Sequence, residues 1–175
     1  MAETVQQYMN RILSNVDRDP LAIQSDTKQA LDRLVKDVPV DALKRRPSPE
    51  HWSVAEILAH FVDAEIVFAF RIRKILSESG STISAYDQKL WEENLNYKDR
   101  DPLQSVREFG LLRAMNLAVL NRLTDEQWDQ RYGMHEERGK ESLRQMVRLY
   151  AGHDVNHMKQ IEAILKGASS KRPAA

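Results

Sequence analysis

The 175-residue chain has no cysteine. Its absence excludes disulfides, thiolate metal ligands and a cysteine nucleophile, so any metal chemistry must use histidine, aspartate or glutamate. The sequence also lacks an excess of charge of either sign, because 26 basic and 26 acidic side chains give a formal net charge of zero. No block of like charge is long enough to form a nucleic-acid-binding surface, and we therefore expect no nucleic-acid partner.

Long apolar segments are missing as well. Nowhere do eighteen consecutive apolar residues occur, which predicts that the protein has no membrane-spanning segment and no membrane partner. Residues 1–5 carry neither the basic region nor the apolar run of a secretion signal. The sequence therefore predicts a cytoplasmic protein.

Glycine and proline are scarce, with 6 of each, and the prolines lie outside the long stretches of apolar periodicity. No alternation of apolar and polar residues is sustained, whereas apolar residues recur at steps of three and four, as on one face of an α-helix. We predict a single all-α domain at residues 1–167, followed by a frayed tail at residues 168–175. The predicted fold is a four-helix bundle with helices at residues 20–37, 53–76, 101–123 and 143–166, and a short extra N-terminal helix at residues 4–15.

The connection between the second and third bundle helices, residues 77–101, is long and polar. Antiparallel helices need only a few linking residues, whereas parallel neighbours need a connection that returns the length of a helix, about 35 Å for 24 residues. The long connection therefore predicts that the second and third helices run parallel. Within it, residues 86–95 contain enough helix-forming residues for a short helix.

Two histidines, His153 and His157, are four residues apart and lie one above the other on the last predicted helix. They fill a gap in its apolar stripe, so both rings should point inward, where a neutral nitrogen without a partner costs about 1–3 kcal/mol. A bound cation would remove that cost, although such pairs also occur as ordinary hydrogen-bonded core residues. Ser142, with Gln145 three residues later, is typical of the capping box that begins a helix.

A third histidine strengthens the interpretation as a metal site. His60 lies on the core-facing row of the second helix, together with Ile57 and Phe68. If the second and last helices are neighbours, His60 can meet His153 and His157 inside the bundle. Three imidazoles leave an open coordination position, at which a bound water or a thiol could be activated. Zinc, nickel, copper and ferrous iron all accept imidazole, and availability favours zinc or iron over copper.

Four further residues are candidates for orienting the ligands or lining a cavity beside them. Asp63 follows His60 by one turn, where it can accept a hydrogen bond from a ligand or pair with a cation on the helix surface. Asn116 interrupts the apolar row of the third helix, where it can bond a neighbour, line a cavity or lie at the edge of the row. His135 belongs to a predicted loop that can reach the mouth of the site, and Tyr150 lies on the apolar stripe of the last helix.

The segments that carry a family resemblance are His-Trp-Ser-Val-Ala-Glu-Ile-Leu-Ala-His at residues 51–60, Asp-Ala-Glu at 63–65 and Tyr-Ala-Gly-His-Asp-Val-Asn-His at 150–157. Through them the chain resembles the DinB-like superfamily of small four-helix proteins over about residues 20–166. The resemblance implies an up-down-down-up bundle, and it places the histidine triad of the family on His60, His153 and His157. Many members are dimers, so we also expect a homodimer.

The resemblance leaves the reaction open. Some relatives are thiol-dependent transferases or isomerases that work with low-molecular-weight thiols such as bacillithiol or mycothiol, others were assigned as metal-dependent hydrolases, and many have no known activity. We therefore expect a divalent-metal-dependent enzyme, of thiol S-transferase or hydrolase type, that acts on a small-molecule substrate. The alternative is a non-catalytic metal-binding or dimeric interaction bundle with a stress-related role.

Overall fold

The four longest helices of the protein are joined by connecting segments that contain shorter helices and strands. A computed structural model describes residues 3–170, with side chains through residue 167. The helices are α1 (Val5–Leu13), α2 (Pro20–Val35), α3 (Val40–Lys44), α4 (Val54–Ser77), α5 (Gln88–Asn94), α6 (Pro102–Leu120), α7 (Asp125–Gln130) and α8 (Leu143–Ser170). The strands are β1 (Thr82–Ile83), β2 (Tyr132–His135) and β3 (Gly139–Ser142), and a 3-10 turn occupies Tyr97–Asp99. Helices α2, α4, α6 and α8 form the predicted bundle, and no helix within residues 3–170 has the length and apolar character needed to cross a bilayer.

Contacts between neighbouring long helices fix their relative directions. The contacts are Phe61–Phe109 and Glu65–Arg113 for α4 and α6, Phe68–Tyr150 and His60–His157 for α4 and α8, and Gln24–Val147 and Thr27–Asp154 for α2 and α8. Residue numbers rise together along α4 and α6 and along α2 and α8, so each of these pairs is parallel. They run in opposite directions along α4 and α8, so this pair is antiparallel. The bundle is up-down-down-up, which confirms the topology that the family resemblance implied.

Capping residues begin α4 and α8 close to the positions that the sequence predicted. Before α4, Oγ of Ser53 accepts from the backbone N–H of Glu56 at 3.2 Å, and the Glu56 carboxylate accepts from the N–H of Ser53 at 2.7 Å. Ser142 and Gln145 form the same reciprocal pair before α8, with bonds of 3.2 and 2.8 Å. These capping boxes satisfy backbone N–H groups that a helix start would otherwise leave unpaired, and they fix where the two histidine-bearing helices begin.

Polar side chains meet in the middle of the bundle, where two apolar clusters adjoin. One cluster contains Phe61 and Phe109, and the other contains Phe68 and Ile72. The buried polar residues of this middle layer come from all four long helices and are Gln24, Thr27, His60, Glu65, Arg113, Asn116, His153 and Asp154. Two of the three candidate ligands, His60 and His153, therefore lie in a polar layer between the apolar clusters, and His157 is half-buried beside them.

A small three-stranded sheet departs from the expected all-α chain. β1 pairs in parallel with β2, with Ile83 opposite His135, and β2 pairs antiparallel with β3. Gly139 closes the β2–β3 hairpin with a φ of +73°, a conformation that favours glycine. Strands this short cannot display a period of two, and β1 and β2 are far apart in sequence. The segment around His135 was therefore expected to be a loop, whereas in the structure it forms β2 and β3, and β2 carries His135 on the wall of the cavity beside the bundle.

Several element ends differ slightly from the expectation. Helix α2 ends at Val35, short of the predicted end at residue 37, and α8 continues through Ser170, beyond the predicted domain end at residue 167. Residues 171–175 of the predicted tail lie outside the described residues. Residues 124–127, which look like a turn in the sequence, form the capping box and first turn of α7.

Candidate metal centre

The structure brings together the three histidines singled out in the sequence. His60 on α4 meets His153 and His157 on α8, and one ring nitrogen from each lies within 4.8 Å of the others. The Nε2 atoms of His60 and His153 are 2.9 Å apart. The ring centre of His157 lies 5.0 Å from that of His60 and 4.4 Å from that of His153. Nitrogen ligands of a tetrahedral ion lie about 3.4 Å apart for bonds of about 2.1 Å, so the three rings are near ligating distance of one point.

Burial keeps His60 and His157 uncharged. His60 is completely buried. Burial lowers the pKa of His60 well below its usual 6.5, and the neighbouring rings of His157 and His153 lower it further. The pKa of His157 falls to about 3, chiefly because the ring is buried and also because His153 is close. Metal ions bind the neutral imidazole, so both rings are held in the form that can act as a ligand.

The hydrogen bonds around the rings are consistent with a bound cation. Nδ1 of His157 lies 3.0 Å from Oε1 of Gln160, which can only accept, so Nδ1 carries the hydrogen and Nε2 presents a lone pair. Nδ1 of His60 and Nδ1 of His153 are buried without a hydrogen-bond partner. The Nε2 atoms of His60 and His153 instead face each other, so a cation between the rings could bind both of them together with Nε2 of His157. A neutral set of three nitrogen donors suits a divalent ion.

No carboxylate within residues 3–167 joins the three histidines in this group. Asp63 pairs instead with Arg100, with 3.2 Å between its Oδ1 and the guanidinium. Asn116 donates to the carboxylate of Glu65 at 2.9 Å and accepts from Arg73 at 3.0 Å. Asp63 and Asn116 make no hydrogen bond to the triad in this part of the chain, so the structure places them in neighbouring polar contacts.

A cavity of about 290 Å³ borders His153 on the side of α1 and the sheet. Tyr150 and His135, both candidates from the sequence, lie on its wall. The ring of Tyr150 stacks on Phe68 with 4.1 Å between ring centres, which holds it in place on α8. The structure therefore brings two of the four further candidates to the cavity beside the triad.

Two buried arginines near the triad were not identified from the sequence. Arg71 lies on the wall of the cavity, in the buried face of α4, and an arginine within that apolar stripe was the available signal. Arg113 pairs with Asp154, the residue after His153, at 2.7 Å. Burial by itself would raise the pKa of Asp154, but Arg113 outweighs it and the pKa is lowered. Oδ1 of Asp154 lies 3.7 Å from Nδ1 of His153, too far for a hydrogen bond.

Comparison with known proteins shows the family. The family model of the DinB superfamily matches residues 25–161, a segment that includes all three histidines. The chain belongs to the DinB superfamily. Membership in the DinB superfamily confirms the resemblance that the motifs around His60 and His153 indicated.

Two of the proteins that are similar to this chain in sequence carry the same descriptive name. The DinB-superfamily chain is 27% identical over 110 residues to "Putative metal-dependent hydrolase YfiT" of Bacillus subtilis, across 63% of this chain and 62% of that protein. It is 26% identical over 125 residues to "Putative metal-dependent hydrolase OB0413" of Oceanobacillus iheyensis, across 67% of each. The match therefore spans less than two thirds of YfiT.

A solved structure shares the fold of this DinB-superfamily chain. YfiT from Bacillus subtilis, described as "a probable metal-dependent hydrolase with an unusual four-helix bundle topology", superposes with a TM-score of 0.79. The superposition covers 97% of this chain and 91% of that one, at 21% sequence identity. At this identity the likeness shows the fold, including the up-down-down-up arrangement that positions α4 against α8.

Proposed function

We propose that this DinB-superfamily protein binds a divalent metal ion through His60, His153 and His157 and acts as a metal-dependent hydrolase on a small molecule. The observation that carries the proposal is the meeting of three imidazoles from two helices, with no carboxylate from the described residues in the group. Three protein ligands leave a coordination position open, as catalytic sites do and closed structural sites do not. The names of two relatives support the same reaction class.

The residues around the triad would prepare this site for chemistry. A divalent ion held there would lower the pKa of a bound water toward about 7 and polarise a substrate oxygen. Gln160 fixes the tautomer of His157 through its 3.0 Å bond, so that Nε2 is free to act as a ligand. The ring of Phe61 packs 6.0 Å from that of His153 and 5.8 Å from that of His157, and it restricts water on the core side.

The same open position supports transfer of a low-molecular-weight thiol as a second candidate reaction. A cation stabilises a thiolate at neutral pH. The chain has no cysteine, so the thiol would have to enter as a separate small molecule, and the cavity at His153 gives it access. A nitrogen-only ligand set fits zinc, nickel or ferrous iron.

Elemental analysis combined with activity assays tests the proposal. The purified protein is expected to contain one equivalent of zinc, nickel or iron and to hydrolyse p-nitrophenyl esters or phosphates. Acceleration by added bacillithiol, with conjugation of chlorodinitrobenzene, would indicate thiol transfer instead. H157A should lose the metal and the activity, whereas H51A, which changes an exposed ring bonded to Ser48, should keep both. Turnover that survives complete metal removal would contradict the proposal.

Exposed apolar side chains on α4 and α6 support a homodimer, and they also fit the alternative of a non-catalytic interaction bundle. Phe70 is 66% exposed and Leu111 is 75% exposed, and Ile66 and Met115, each one turn away on the same helix, are exposed as well. Exposed apolar groups of this size are typical of association surfaces. Sedimentation equilibrium of the wild type should give a dimer, and the F70E/L111E variant should give a monomer.

A further inference from the structure

We propose that the cavity beside the three histidines binds the anionic group of a small-molecule substrate, a carboxylate or a phosphate, through Arg71 and His135. This inference rests on the proposed metal-dependent function and specifies the class of substrate for it. Arg71 extends from α4 and His135 from β2, and both lie on the cavity wall that His153 also borders.

Arg71 is the exception among the buried charged side chains of residues 3–167. Apart from histidine, the buried charged residues are Glu56, Asp63, Glu65, Arg71, Arg113, Glu141 and Asp154. The ion pairs that neutralise six of them are Glu56–Arg46, Asp63–Arg100, Glu65–Arg113, Asp154–Arg113 and Glu141–Arg138. Arg71, which is 5% exposed, has no carboxylate within ion-pair distance in this part of the chain. A buried charge without a counter-charge is unfavourable, and an anion in the cavity would supply the missing partner.

Within residues 3–167, the contacts of Arg71 are with neutral groups. One terminal nitrogen donates to the hydroxyl of Tyr150 at 3.3 Å, and the other donates to the backbone carbonyl of Ser84 at 2.5 Å. The guanidinium also lies 5.9 Å from the ring centre of Tyr86. A guanidinium has five N–H donors, so hydrogens remain for a ligand. These contacts hold the side chain in one orientation without neutralising it.

His135 supplies a second unused donor. It is 3% exposed, and its Nδ1 accepts a hydrogen bond from the backbone N–H of Glu137 at 3.2 Å. Burial, Arg138 and Arg71 lower the pKa of His135 to about 4, so the ring is neutral at pH 7. A neutral ring whose Nδ1 accepts must carry its hydrogen on Nε2, and that atom is buried with no partner. An anionic oxygen would accept from it.

The other charged groups on the cavity wall leave this positive charge uncompensated. Arg138 is paired with Glu141 at 2.9 Å, and Glu3 is paired with Arg11 at 2.8 Å. Glu137 is exposed to solvent, where its charge is screened. The buried part of the cavity therefore carries the charge of Arg71, and it selects an anionic ligand over a neutral one.

The position of Tyr150 connects the anion site to the triad. Its hydroxyl lies 3.3 Å from Arg71, and its ring centre lies 6.2 Å from that of His153. An anionic group bound at Arg71 would therefore be separated from the candidate metal centre by about the length of the Tyr150 side chain. A small molecule can bridge that distance, with its anionic end at Arg71 and its reacting end at the open coordination position.

Calorimetric titration with inorganic phosphate, succinate and neutral succinamide tests the inference. Zinc-loaded and metal-free wild-type protein should bind at least one of the two anions and should not bind succinamide. R71M should weaken anion binding by at least about tenfold, because charge-assisted bonds to the anion are lost. R73M is the matched control, since Arg73 lies on the same helix, bonds Ala69 and Asn116, and is not among the residues of the cavity wall. H135F, which removes the ring N–H, should give a smaller loss than R71M.

The outcomes separate this inference from the proposed function. The inference would be overturned, with the metal site left intact, if R71M bound the anions as tightly as the wild type does. The same conclusion would follow if the anions bound only to zinc-loaded protein and with equal affinity in R71M and the wild type. A wild-type protein that binds no zinc would overturn the proposed function, and with it the assignment of the anion as part of an enzyme substrate. If R71M does not fold, crystals of the wild type grown separately with succinate and with phosphate provide the test. One of the two anions is expected on Arg71, and the absence of both there would overturn the inference.

Discussion

Nε2 of His60 lies 2.9 Å from Nε2 of His153, although the two residues are 93 positions apart in the chain. The atoms meet because α4 and α8 are antiparallel neighbours, and because both rings lie in the polar layer of the core. Two facing ring nitrogens can share one hydrogen, or both can offer lone pairs to one cation. The second arrangement includes His157, which the first does not use.

Removal of any one histidine of the triad should weaken metal binding. H60A, H153A and H157A are each expected to lower the affinity for zinc by more than about 100-fold, because each removes one of three ligands. Q160A should have a smaller effect, about 10-fold, because it only releases the orientation of His157. Competition titration with a fluorescent chelator measures both. Wild-type affinity in any of the three histidine variants would exclude that residue from the site.

Removal of the metal should leave the helical fold intact. The four long helices bury their own apolar clusters, so the metal-free protein should retain its far-UV circular dichroism spectrum. The free energy of unfolding should fall by the linkage term alone, about 3–4 kcal/mol when the metal is present at 100 to 1,000 times its dissociation constant. Thermal unfolding with and without a chelator measures the change. Collapse of the helical signal on chelation would favour a structural ion and the non-catalytic alternative.

Substitution of Gly152 should displace α1 from α8. A Cβ atom at this position would overlap the backbone carbonyl of Ile12, which cannot move without shifting α1. G152A is therefore expected to lower the free energy of unfolding by about 3 kcal/mol and to disturb the cavity wall that Tyr8 contributes. G167A on the same helix is the control, since its Cβ would meet nothing within 4 Å and alanine favours helix. Chemical denaturation of the two variants should show opposite signs.

Removal of Arg113 should be strongly destabilising. R113M leaves Glu65 and Asp154 buried without a counter-charge, which is expected to cost about 3–5 kcal/mol. R107M on the same helix changes an exposed arginine bonded to Gln104 and should shift stability by less than about 0.5 kcal/mol. Urea denaturation measures both values. Equal stabilities of R113M and the wild type would show that the buried ion cluster contributes nothing net to the fold.

The metal-free protein should lose stability as the pH falls from 7 to 5. His157 and His135 have folded pKa values of about 3 and about 4, below the value of about 6.5 for an unfolded histidine. In this window the unfolded chain binds more protons than the folded one, so stability is present above the unfolded pKa and is lost below it. Each group contributes up to about 1.4 kcal/mol per pH unit. H135F should show a shallower slope, and a flat profile in the wild type would contradict the burial of these rings.

Much of the fold could be read from residue patterns because the signals are local. The apolar stripes of the four long helices and the capping boxes at Ser53 and Ser142 depend only on neighbours within a few residues. The length of the segment between α4 and α6 also correctly indicated that these helices run parallel. The sheet could not be read in this way, because Ile83 pairs with His135 through a contact that is not local in sequence.

The residues of the candidate site also differ in whether local sequence patterns identify them. His60, His153 and His157 could be selected from the sequence because each lies on an inward helical face, and that property is set by helical periodicity alone. Arg71 could not be recognised as an unpaired buried charge, because the lack of a partner depends on every chain segment that surrounds it.

The sequence by itself determined which residues form the four long helices, which of their faces are buried and which three imidazoles point inward, because these properties follow from helix geometry and local capping. Only the tertiary structure decided that the three nitrogens meet at one point, that Asp63 pairs with Arg100, and that a cavity joins Arg71 to His153. Those relationships are distances between separate helices and strands, and they exist only after the helices have packed.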